Sequence, residues 1–134
     1  MVSTMRIMMT TRRVRGFSLI ELIVALAILA TILAVAVPRY FNNIQTAQEN
    51  VLHEDLYVMR SAIDHYFSDK SLYPNALADL VTQNYLRAIP IDPFTQSSNS
   101  WTLVAPTDPT LGAVYDVHSG SPNKAKNGTW LAAW

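Results

Sequence analysis

The sequence predicts an α+β fold. One long N-terminal helix, membrane-spanning in its first half and amphipathic in its second, packs against a small C-terminal part with a short helix and a small antiparallel sheet. Three observations carry that expectation. Residues 17–37 form a nearly unbroken apolar run. Residues 39–69 contain no Gly or Pro and repeat apolar side chains at helical spacing. Residues 70–134 change to turn residues that separate short alternating segments. A length of 134 residues suits one folded domain rather than two. The expected organisation is a basic leader at 1–16, an apolar helix at 17–37, its amphipathic continuation at 38–69 and a globular part at 70–134.

The head carries Arg6, Arg12, Arg13 and Arg15 and no acid. A basic stretch before an apolar run is a membrane-targeting pattern. Met5, Met8 and Met9 are alternative starts, and beginning at Met9 leaves a compact leader that is still basic.

The run that follows, FSLIELIVALAILATILAVAV, is interrupted only by Ser18, Glu21 and Thr31. As a helix it is roughly 31 Å long at ~1.5 Å per residue, about the thickness of a bilayer core. It is apolar on all sides, unlike an amphipathic surface helix. A secretory signal peptide has a shorter apolar core and a small-residue cleavage site after it. Here Pro38-Arg39-Tyr40 follows instead. The arginines place the head in the cytoplasm and the rest of the chain across the membrane.

Pro38 opens or kinks a helix. Beyond it Ile44, Ala47, Val51, Val58 and Ala62 recur at helical spacing, beside a row of Leu52, Leu56, Met59, Ile63 and Phe67. Together they predict one wide apolar face, with Glu49, Asp55, Asp64 and Asp69 largely off it. In the last part Tyr73-Pro74-Asn75 predicts a turn with Asn75 as helix cap, and Leu77, Leu80 and Val81 a short helix. Pro90 and Pro93 bracket a rigid extended turn. Trp101–Ala105 and Ala113–His118 are candidate strands joined by Pro106–Gly112, and Thr129–Trp134 is a candidate last strand after the loop Ser119–Gly128.

Composition excludes several functions. There is no cysteine, hence no disulfide and no thiolate metal or redox site. Residues 17–134 hold six basic and ten acidic residues, a net of −4, which argues against a nucleic-acid surface. Ser61, His65 and Asp69 are spaced along one helix, where side chains stand in a row rather than converging as a triad must. His53, His65 and His118 lack metal-ligand spacing. No phosphate loop or nucleophile elbow is present, so no enzymatic activity is expected.

The unit that carries function is Arg15-Gly16-Phe17-Ser18-Leu19-Ile20-Glu21 and the run behind it. Gly16 offers a peptidase an unhindered backbone. Glu21 is the anomaly, because a carboxylate within an apolar span costs about 2.5–3.5 kcal/mol and needs a partner. Cleavage after Gly16 creates one, the new amine of Phe17, which a neighbouring subunit can present to Glu21.

These residues resemble the class III signal of type IV pilins and type II secretion pseudopilins. The resemblance implies a type IV pilin-like fold and a prepilin peptidase that cuts between Gly16 and Phe17 and methylates Phe17. It also implies a role for Glu21 in assembly. Tyr73-Pro74, Leu80-Val81, Ile89–Phe94, Trp101–Val104 and Tyr115–Gly120 are similar to stretches of the major pseudopilins. By that resemblance the chain is a subunit of a short periplasmic filament in a type II secretion system, the alternative being a type IV pilus or DNA-uptake pilin. The implied partners are further copies of the chain, other pseudopilins, the prepilin peptidase, an inner-membrane assembly platform and membrane lipid, with no nucleic acid. The implied location is a single pass of the inner membrane, N-terminus cytoplasmic and C-terminal part periplasmic. One departure stands out. The major pseudopilins carry an acidic calcium-binding loop, whereas Ser119–Gly128 holds Lys124 and Lys126 and no carboxylate follows Asp116. Oxygens of Ser119, Ser121, Asn123 and Asn127 remain, but ligand charge largely sets calcium affinity. No cofactor is therefore expected, and packing of Trp130 and Trp134 is the expected fastening of the loop.

Overall fold

The computed structural model describes residues 15–134. The leader expected at 1–16, with Arg6, Arg12 and Arg13, lies outside the described residues except for Arg15 and Gly16. The chain divides into two compact units, residues up to Arg39 and Tyr40–Trp134.

In the first unit, helix α1 begins at Leu19, and it ends in the second unit at Lys70 after 52 residues with Pro38 inside it. Every residue from Arg15 to Arg39 is exposed. This segment therefore buries nothing of its own, as an all-round apolar helix does when its surroundings are not its own chain. It is long and apolar enough to cross a membrane. Thr31 disturbs it little, because its hydroxyl donates to the Ala27 carbonyl at 2.8 Å.

In the second unit α1 behaves as an ordinary amphipathic helix. Leu52, Leu56, Met59, Ala62 and Ile63 are buried. The wide apolar face expected from the sequence is narrower than that. Ile44, Val51 and Val58 are 38–49% exposed, so the second of the two rows, with Ala62, faces the core. The small part can cover a stripe about 100° wide, and the adjacent row falls outside it.

The rest of the chain wraps that stripe. Helix α2, Leu77–Thr82, sets Leu77 and Leu80 against it. Asn75 is not its cap. The cap position is Ala76, and the first turn is closed from inside by the Asp79 carboxylate, which accepts from the Asn75 and Ala76 N–H groups at 2.9 and 3.1 Å. Strand β1, Thr102–Val104, pairs antiparallel with β2, Asp116–His118, placing Leu103 opposite Val117. Their connection holds a short 3₁₀ helix, Pro109–Leu111, capped by the side chain of Asp108. Thr129–Trp134 is not a strand. Trp130 makes one bridge to Lys124 and the chain then turns into a 3₁₀ helix, Leu131–Ala133. Leu131 is fully buried, which a turn achieves at a single position where an edge strand would need alternation.

Two glycines permit the tight backbone approaches. Gly112 has φ +124°, and a Cβ there would lie 2.2 Å from the Tyr73 carbonyl oxygen. At Gly120 a Cβ would lie 1.8 Å from the carbonyl oxygen of Ser100.

Candidate functional site

The residues singled out for processing and assembly stand together at the start of α1. Gly16 and Phe17 precede the helix and are exposed, and nothing lies within 4 Å of where a Cβ on Gly16 would sit. Phe17 is 85% exposed. Ser18 stops the chain from fraying further, since its hydroxyl accepts the Glu21 N–H at 3.2 Å. That is a helix cap, and the Ser-x-x-Glu spacing that signals it was legible in the sequence but is hidden within the apolar run. Glu21 therefore sits in the first turn of α1, where the helix dipole favours a negative charge. Of the three polar residues in the run, Ser18 and Thr31 find hydrogen bonds within the helix. Among the described residues the Glu21 carboxylate has no ion-pair partner.

The second unit carries a separate polar framework that sequence reasoning did not find. Arg60 on α1 donates through Nε to Asp116 at 2.7 Å and through Nη2 to the carbonyl oxygens of Val117 and Trp134 at 2.9 and 2.8 Å. It ties the helix to β2 and to the last turn. His118 Nε2 lies 3.5 Å from the other Asp116 oxygen. His53 stacks on the Trp134 ring with centroids 4.0 Å apart. His53 and His118 are thus engaged in packing and hydrogen bonding. Among the described residues no group of three metal-ligating side chains occurs. Ser61, His65 and Asp69 do not converge, and Asp69 accepts instead from the Tyr85 hydroxyl at 2.7 Å. That bond, more than burial, raises the Tyr85 pKa.

The loop 119–128 is organised by a chain of hydrogen bonds that starts at Asp92. This carboxylate is fully buried. One oxygen accepts from the Phe94 and Thr95 N–H groups at 2.8 and 3.3 Å, the other from the Ser119 hydroxyl at 2.5 Å. Ser119 Oγ accepts in turn from the Ser121 N–H, and Ser121 Oγ from the Asn123 N–H. The Asp-Pro pair at 92–93 was the one sequence signal for this turn. Burial, then the Asp92 carboxylate and then Glu54, push the Asp55 carboxyl upward. Farther on, the Lys126 N–H donates to Glu49 at 2.8 Å, and its ammonium to the Asn42 carbonyl and the Thr46 hydroxyl at 3.2 and 2.8 Å. Of the expected fastening by Trp130 and Trp134, the Trp134 half holds: its ring packs against the core and its Nε1 donates to the Thr129 hydroxyl at 2.8 Å, whereas Trp130 does not pack. Trp130 is 54% exposed, with the Lys124 ammonium 4.4 Å from its ring centre.

Known proteins resemble this chain in its N-terminal stretch and over most of its length. Residues 11–37 match the prokaryotic N-terminal methylation motif. The chain is 30% identical to type II secretion system core protein G of Pseudomonas aeruginosa, over 91% of this chain and 99% of that one. It is 26% identical to the protein of the same name from Escherichia coli K12, over 87% of each chain. For the Vibrio cholerae protein of that name the identity is 28%, over 76% of this chain and 82% of the relative. No solved structure matches the chain.

Proposed function

We propose that this chain, which belongs to the type II secretion system core protein G family, is a pseudopilin subunit whose N-terminal segment is processed, held in a membrane and then packed into a filament. The observation that carries the reading is the first half of α1. Its apolar side chains are exposed on every side, and its one carboxylate, Glu21, stands five residues beyond the open Gly16 backbone. Such a helix is stable only in lipid or among other helices like itself.

Three steps follow. A prepilin peptidase cuts between Gly16 and Phe17 and methylates the new terminal amine. Until assembly the helix stays in the inner membrane, with its N-terminus cytoplasmic and the second unit periplasmic. During assembly, on an inner-membrane platform, Glu21 of one subunit pairs with the amine of Phe17 on a neighbour, which fixes their axial register. The two charges neutralise each other in a low dielectric, where an unpaired one is costly. The subunit performs no covalent chemistry in this scheme. Its work is mechanical, and copies of itself, other pseudopilins and the secretion machinery are its partners. The relatives favour this reading over a pilus or DNA-uptake subunit. The second unit folds without calcium, because the buried Asp92 and the Lys126 ammonium fasten the loop that a metal would otherwise organise.

Intact-mass measurement of the membrane-extracted protein tests the processing step. The expected mass lacks residues 1–16 and carries one added methyl group. Retention of the leader in cells that contain the peptidase would overturn it.

A further inference from the structure

The part of the chain beyond Asp116 reverses the charge of what precedes it. Residues 17–134 net −4, yet 119–134 hold Lys124 and Lys126 and no acid. Both lysines are exposed, as is Trp130. The loop that bears them lies against the beginning of the second unit. Lys126 Nζ reaches the Asn42 carbonyl, and Gln45 Nε2 the Lys124 carbonyl at 3.5 Å. Asn42 is only five residues beyond Val37, where the apolar run ends. Beside it is an open cleft of about 460 Å³ walled by Phe41, Ile44 and Phe94, with Lys124 at its rim. Tyr40 and Phe41 are exposed and meet edge to face.

The cations here retain capacity for a ligand. Two of the three donors of the Lys126 ammonium are used, which leaves one. The Lys124 ammonium lies over the Trp130 ring and has no carboxylate partner among the described residues. The neighbouring acid, Glu49, already accepts from the Lys126 N–H and from Gln45. Exposed aromatic rings next to lysines, a few residues beyond an apolar span, have the composition of a membrane–water interface. We propose that this surface docks on anionic lipid headgroups of the bilayer that holds the first half of α1, with the headgroup phosphate at Lys124 and Lys126 and Trp130 at the level of the glycerol. The proposal rests on the membrane-anchor reading above. Docking steadies the second unit against the membrane while the subunit awaits assembly, and each lysine favours the docked form by roughly fivefold.

The chain has no cysteine, so single thiols can be placed at will. The full chain, reconstituted in vesicles of phosphatidylcholine with or without phosphatidylglycerol, would carry a spin label at Asn127→Cys, Ser68→Cys or Ala27→Cys. The label at 127 is expected to report headgroup depth in anionic vesicles and water in neutral ones, with the difference lost at high salt. The label at 68, roughly 39 Å beyond Asn42 along α1 at ~1.5 Å per residue, is expected to stay in water throughout, and the label at 27 to lie in the acyl region. Lys124→Gln should lower the docked-to-free ratio roughly fivefold. It leaves the Lys126 bonds to α1 intact, so misfolding does not confound it. A label at 127 equally wet in both vesicles, with 27 inserted, would sink the headgroup surface alone. A label at 27 in water would sink the anchor reading and this proposal with it. Burial at 127 that depends on protein concentration and not on lipid charge would overturn it in favour of a second copy as occupant.

Discussion

The two halves of α1 solve the same problem in opposite ways. Both carry rows of Leu, Ile, Val and Ala that water disfavours. From Leu19 to Val37 no side chain is covered by the rest of the chain, and the polar residues are few. From Leu52 to Ile63 the buried positions are covered by α2, β2 and the last turn, and acids occupy the outer face. The difference teaches where each half gets its stability. The second half is stabilised within the subunit, the first only by what surrounds it, lipid or neighbouring helices. A defect in one half should therefore leave the other half's behaviour untouched.

The sharpest break in that comparison is expected at Glu21. Glu21→Ala should abolish filaments while leaving processing and insertion intact. Alanine makes the span more apolar, yet the Phe17 amine loses its partner at a cost of about 3–5 kcal/mol per subunit. A shearing assay with an immunoblot for processing checks it, and normal filaments would exclude the acid as the assembly determinant. Next comes a paired substitution. In the chain shortened through Val37, expected to be a soluble folded monomer by near-ultraviolet dichroism, Leu56→Ala should lower unfolding free energy by about 2–5 kcal/mol. Ile28→Ala, in the full chain in detergent, should leave the unfolding of the second unit unchanged. An equal loss from both would mean the halves are not independent.

A smaller effect is expected from Asp92→Ala. The substitution frees two backbone N–H groups and the Ser119 hydroxyl in a buried setting, for a loss of about 1–3 kcal/mol. Millimolar calcium should leave the melting temperature of the unsubstituted second unit where it was. A calcium-specific rise would show a metal site, since a ligand that binds only the folded state stabilises it. The smallest effect concerns Asp55, whose pKa is raised in the fold by burial first and by Asp92 second. A raised carboxyl pKa means the folded state prefers the protonated form. Its contribution is therefore most favourable below the ordinary aspartate range and is lost as pH rises through the raised value. Asp55→Asn should accordingly raise the melting temperature slightly at pH 7 and hardly at all below pH ~4. An equal gain at both pH values would assign the effect to packing.

Much of this was legible in the sequence, for physical reasons that can be named. The apolar run, Glu21 and the Gly16–Phe17 pair announce themselves because each breaks or sets a local rule. Leu77, Leu80 and Val81 place α2, and the alternation at Trp101–Ala105 and Ala113–His118 finds the two strands. What was hidden depends on partners distant in the chain. Which of two adjacent rows on α1 faces inward is decided by how wide a stripe the small part can cover. Arg60 reads as one more polar residue on a helix until Asp116 and Trp134, more than fifty positions away, come to meet it. Thr129–Trp134 has the composition of a strand, but a single bridge and the burial of Leu131 turn it into a 3₁₀ helix.

The close approach at Gly120 has a genetic consequence. Every amino acid that a glycine codon can reach by one base change bears a Cβ. At this position that atom would lie 1.8 Å from the Ser100 carbonyl oxygen, so no single-base amino-acid replacement keeps the backbone as it is. Gly128 has φ +84° but open space around it, and there asparagine, though more than one base change away, is the tolerable replacement. In a population of random single-base variants, amino-acid replacements at codon 120 should vanish under selection for the folded subunit while its silent third-base changes persist. Whichever lineage carries this loop inherits that glycine without a mutational route around it.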